Sequence, residues 1–93
     1  KFFNEAINAY QSALLEWTQE KSPMTWAMTA ANLAIAQKSL AERLGDAGTA
    51  GLALSSFEAV AEVFRGASHA RYYQFATEQI AKTRTLLDSL AAS

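Results

Sequence analysis

Large apolar side chains recur every three or four positions along this chain. Phe3, Ile7, Tyr10, Leu14 and Trp17 form one stripe, flanked by Phe2, Ala6, Ala9 and Ala13. Trp26, Ala30, Leu33, Leu40 and Leu44 form a second, Ala53, Phe57, Val60 and Phe64 a third, and Tyr73, Ala76, Ile80, Leu87 and Leu90 a fourth. That spacing marks one face of an α-helix, and turn-bounded alternating runs of β-branched residues are absent. The breaks between stripes coincide with the few helix breakers. Ser22-Pro23 suits an N-cap followed by the first helical position. Gly45-Asp46-Ala47-Gly48 is a stop after Leu44, and Gly66-Ala67-Ser68 places Ser68 to cap the last helix. The pattern predicts four helices, over 2–20, 23–44, 49–65 and 69–90. The expected fold is all-α, two antiparallel helical hairpins stacked as one domain over residues 1–93.

Composition reinforces the helices. Alanine, the best helix former, supplies 20 of 93 residues, against four Gly and one Pro. Half the chain is hydrophobic (51%) and only 18% is charged, which argues for a packed core rather than disorder. A net charge of −1 offers no basic surface to nucleic acid. With no cysteine there is neither a disulfide framework nor a thiolate metal site. No apolar run suits a membrane span and no signal peptide opens the chain, so the cytoplasm is the expected compartment. Because the first residue is Lys1 rather than Met, the expectation is a fragment or a processed product, with Leu90-Ala-Ala-Ser93 as a natural C-terminus.

The halves of the chain also match each other. A shift of 47 residues places Ala6 on Ala53, Ile7 on Leu54, Tyr10 on Phe57, Trp17 on Phe64, Trp26 on Tyr73, Met28 on Phe75, Leu33 on Ile80 and Leu40 on Leu87. The large–small order persists through two helices, as expected of a repeat whose single unit cannot bury its own apolar face. Two motifs stand out. Ala6-x3-Tyr10-x2-Ala13-Leu14 puts small, aromatic and small residues on one face. Pro23-x2-Trp26-Ala27-Met28-Thr29-x2-Asn32-Leu33-Ala34 is followed by Glu42-Arg43-Leu44-Gly45-Asp46 and a return to Ala53-x3-Phe57. Together they resemble tetratricopeptide repeats of the long-period kind found in bacterial tandem arrays, at the C-terminal end of such an array. The resemblance covers almost the whole chain. It is weaker after Val60, where Ala67-Ser68-His69-Ala70-Arg71-Tyr72-Tyr73 replaces the Pro-x2-Trp region, and that last unit reads as an end cap.

The resemblance implies a phase. In the family the first helix of each pair carries the Asn-Leu-small motif, so this chain would begin with a second helix whose partner is missing. Phe2, Phe3 and Ile7 would then form an uncovered patch, larger than a soluble monomer usually tolerates. Preceding repeats of a longer chain or a second copy in a homodimer would cover it, at a gain of roughly 1.5–3 kcal/mol per buried side chain. The resemblance also implies a concave face that holds a peptide or protein partner. By position it carries Met28, Ala31, Asn32, Ile35 and Lys38, then Phe75, Glu78, Gln79, Lys82 and Thr85. Ala31 and Ile35 stand where the carboxylate-clamping members have polar groups, so a carboxylate clamp is not expected. The plainer reading of this face is a solvated cap that binds nothing.

Catalytic chemistry is not signalled. His69 is the only histidine and is read most simply as a solvated residue at a helix start. The nine carboxylates are scattered, and Glu58 and Glu62, four apart, read as surface or ion-pair partners. No phosphate loop or nucleophile elbow is present. Trp17, Trp26 and Tyr73 fit the core stripes, whereas Tyr72 and Phe75 fall off them and are candidates for the surface. The function expected is a protein-interaction or scaffold module, with self-association or solenoid capping as the alternative. No enzyme activity, cofactor or metal is expected.

Overall fold

The computed structural model describes the backbone of residues 2–16 and 18–92 and the side chains of 5–15 and 18–92. Within them the chain forms four helices, α1 (Phe2–Glu16), α2 (Pro23–Leu44), α3 (Ala47–Gly66) and α4 (Ala70–Ala92), and no strand. Each packs on the next in sequence, giving a stack of helical hairpins, and α2 also touches α4.

The helix ends explain where the boundaries differ from those expected. The first helix ends at Glu16 rather than running to 20. Ser22, preceding Pro23, is held at φ −142°, ψ 67°, outside the helical region, as a pre-proline residue should be. The chain therefore turns before it. The Ser22 amide donates to the Thr18 carbonyl at 2.9 Å, and the Lys21 amide to Thr18 Oγ1 at 3.3 Å. Ser22 occupies the N-cap position of α2, but its hydroxyl makes no capping bond; only its carbonyl accepts, from the Trp26 amide at 2.8 Å.

Gly45 ends α2 in the left-handed conformation, at φ 64°, and its amide donates back to the Ala41 carbonyl. Asp46 serves both ends of the turn: its amide donates to the Ala41 carbonyl at 3.1 Å and helps to close α2, and its side chain starts α3. Its carboxylate accepts from the Gly48 amide at 3.0 Å and from Thr49 Oγ1 at 2.8 Å, so α3 starts at Ala47, ahead of the expected 49. A Cβ at Gly48 would lie 3.3 Å from that carboxylate, which is why a glycine is suited to the first turn. Ser68 does not cap α4. It sits left-handed at φ 57° and closes α3, with its amide bonded to the Arg65 carbonyl and the His69 amide to the Phe64 carbonyl, the paired bonds of a Schellman end.

Alanine builds the core. Ala27, Ala30, Ala34 and Ala41 of α2 and Ala50 and Ala53 of α3 are buried, letting the two backbones approach closely around Phe57, Val60 and Phe64. The molecule is a slab measuring 40 × 27 × 16 Å. Its thickness barely exceeds one helix diameter of about 10–12 Å, so each helix can bury only a narrow stripe. Several expected stripe residues consequently reach solvent: Leu44 is 65% and Tyr73 36% exposed. No described side chain of α1 is buried; Ile7, Tyr10 and Leu14 are half-buried, and α1 packs on α2 alone. Phe2, Phe3 and Trp17 lie outside the described side chains.

Candidate partner-binding groove

Where α2 and α4 run beside each other over the end of α3, they leave a groove of about 370 Å³. Its α2 wall is Met28, Ala31, Asn32 and Ile35, the i, i+3, i+4, i+7 stripe of one helix face. Its α4 wall is Arg71, Tyr72 and Phe75, and Phe64 of α3 forms the floor. Met28, Ile35 and Phe75 remain 48%, 40% and 38% exposed although all three face the same hollow.

An aromatic cluster fixes the α4 wall. Phe64 is buried, and the Tyr72 ring lies tilted against it with centroids 5.2 Å apart. His69 stacks on Tyr72, centroids 4.0 Å apart and nearly parallel at 6°, and its ring also lies 6.5 Å from that of Phe64. The rings join the Schellman turn at Ser68 to α4 and hold the first turn of α4 against the end of α3. Tyr72 is thus half-buried in packing, and Tyr73, expected in the core, is the more exposed of the pair.

Of the concave-face residues expected from sequence, Met28, Ala31, Asn32, Ile35 and Phe75 come together around the groove. Lys38, Gln79 and Lys82, with Glu78 and Thr85, are not among its lining residues. Lys38 and Gln79 are half-buried and Lys82 is exposed; the Gln79 carbonyl accepts from Thr83 Oγ1 at 2.6 Å. Phe64, Arg71 and Tyr72 were not anticipated. Phe64 reads as core, and only its contact with α4 makes it a groove floor. Arg71 carried a signal, lying one helical turn before Phe75 and so on the same face.

The groove is chemically simple. The side chains of Asn32, Arg71 and Tyr72 are its polar heads, and none has a protein hydrogen bond or ion pair among the described residues. The carboxylates are engaged elsewhere or stand apart. Glu62 pairs with Arg65 at 2.7 Å, and Glu58 accepts from Arg84 at 3.0 Å across α3 and α4. The hydrogen bond from Arg65, with its charge, holds the Glu62 carboxyl below its ordinary range. Among the described residues no group of three His, Cys, Asp or Glu is placed to hold a metal, and no helix is long and apolar enough to cross a membrane. A second hollow of about 710 Å³ at Thr18–Lys21 is lined only by polar residues of the turn.

For the self-association patch, Ile7 is half-buried on α1, and Phe2 and Phe3 lie outside the described side chains. Among the described residues the most exposed large apolar side chain is instead Leu15, at 83%. No protein-family model matches this chain, and no curated protein or solved structure matches it either.

Proposed function

We propose that this chain is a protein-interaction module of the tetratricopeptide kind, which holds a segment of a partner protein in the α2–α4 groove. The observation that carries the reading is the gathering of Met28, Ile35 and Phe75, three of the exposed large apolar side chains, around one concavity. Scattered exposed apolar groups are ordinary, whereas a concave cluster with a few polar heads suits a ligand. Methionine adapts to varied apolar surfaces, which suits a peptide anchor. The role is binding rather than catalysis, since no catalytic constellation is read from the chain.

The test compares partner capture by the wild-type chain, by Met28→Lys/Phe75→Lys, and by Leu52→Lys on an exposed position of α3 outside the groove. Loss with the groove variant alone supports the reading; loss with Leu52→Lys alone overturns it. Lys38→Glu/Lys82→Glu reports whether the rest of the expected concave face contributes.

One observation favours a second reading, self-association through α1: that helix packs on a single neighbour and buries none of its described side chains. A light-scattering mass of two chains, reduced to one by Phe3→Ser/Ile7→Ser, would support it. A single-chain mass at micromolar concentration would end it.

A further inference from the structure

The geometry points to Arg71 as the handle that selects the partner: the segment held in the groove carries a carboxylate beside its apolar anchor. This inference rests on the groove reading above and adds the chemistry of the ligand. Among the described residues Arg71 is the one charged side chain that lines the groove. It is exposed, and among the described residues it has neither an ion pair nor a hydrogen bond, while Arg65 and Arg84 are each bonded to a glutamate. It lies in the first turn of α4, where the unbonded amides of the helix start add positive potential. None of the described lining residues is acidic, so none of them neutralises that potential.

A hollow of about 370 Å³ falls at the small end of the range for ligand sites, room for one or two large side chains. Met28, Ile35, Phe64 and Phe75 would surround such an anchor with apolar contact. A planar guanidinium takes a carboxylate in two parallel hydrogen bonds and accepts no cation, so the charge beside the anchor must be negative. The occupant is therefore a peptide segment with a large apolar residue and an Asp or Glu close to it. A basic or purely apolar segment would leave Arg71 unpaired.

The test is selection of random dodecapeptides, displayed on phage, against the folded chain. Selected sequences should share a large apolar residue with an acidic neighbour. The best of them, made as a synthetic peptide, should bind Arg71→Gln about fivefold more weakly in fluorescence anisotropy. High salt should weaken wild-type binding and leave the Arg71→Gln variant almost unchanged. Selection on Arg71→Glu should turn the acidic preference to Lys or Arg. Since Arg71 makes no hydrogen bond or ion pair among the described residues, Arg71→Gln should melt as the wild type does and Arg71→Glu no lower, an anion being favourable at a helix start. Apolar peptides without an acidic preference, bound equally by Arg71→Gln but lost with Met28→Lys, would overturn the handle and leave the groove standing. Peptides indifferent to Met28→Lys and Phe75→Lys, or no selected peptide at all, would overturn the groove reading and the handle with it. A dimer broken by Met28→Lys would make the occupant a second copy and end the proposal.

Discussion

Two single residues govern the turns that aim the helices. Ser68 is an L-residue held at φ 57°, a conformation that costs roughly 1–2 kcal/mol relative to the right-handed region. Glycine escapes that penalty but loses more entropy on folding, so Ser68→Gly should stabilise the chain by about 0.5–1 kcal/mol. A thermal melt with a higher midpoint and an unchanged circular dichroism spectrum is the expected result. Asp46 acts at the other turn. The Thr49 hydroxyl and then the Gly48 amide hydrogen-bond its carboxylate and hold its pKa below the ordinary aspartate value. A depressed folded pKa means that the contribution is complete above the unfolded value and fades as pH falls through the folded one. Asp46→Ala should therefore lower the melting midpoint at neutral pH. The gap from wild type should narrow as the pH falls through the folded pKa, below which the carboxylate is protonated in both states.

Among the elements, α2 and α3 carry the fold and α1 is the least secured. Ala34 and Ala53 meet Phe57 in a core with no solvent exposure, and close backbone approach depends on those missing side-chain atoms. Ala34→Leu should cost about 1–3 kcal/mol through overpacking, and Phe57→Ala about 3–5 kcal/mol through the cavity it leaves. Either is large against a stability of roughly 5–15 kcal/mol for a domain, so urea melts should separate them clearly from surface variants. α1 contacts one helix and has only half-buried side chains in its described part. Its amides should lose protection from hydrogen exchange before those of α2 and α3, because local opening there breaks the fewest apolar contacts. Equal protection across all four helices would show that something further covers α1.

At the scale of the molecule, a slab 16 Å thick cannot hide every apolar residue its helices carry. The excess is not spread evenly. Met28, Ile35 and Phe75 share one concavity, and their partial exposure means that folding leans on them less than on the fully buried core. Met28→Lys/Phe75→Lys should cost the fold much less than Phe57→Ala in a urea melt while removing partner binding. A large loss of stability would instead mark these residues as core, and would remove the reason to regard the groove as a binding surface.

Periodicity and turn chemistry by themselves determined the number of helices, their order and their class. The 3.6-residue stripes and the breakers at Ser22-Pro23, Gly45 and Gly66 are local properties, and local hydrogen bonding decides helix formation. The Met28-Ala31-Asn32-Ile35 face was legible for the same reason, since i, i+3, i+4 and i+7 share one side of any helix. The sequence misassigned Ser68, because a serine after a glycine suits the start of one helix as well as the end of another. It also misplaced Tyr72 and Tyr73. The hydrophobic pattern places both on α4, but which one packs on Phe64 depends on how α4 is rotated against α3. Tertiary packing alone set that rotation, through the Phe64–Tyr72–His69 stack. Packing also made Phe64 a floor and Arg71 a rim, since a groove between helices distant in sequence belongs to neither of them.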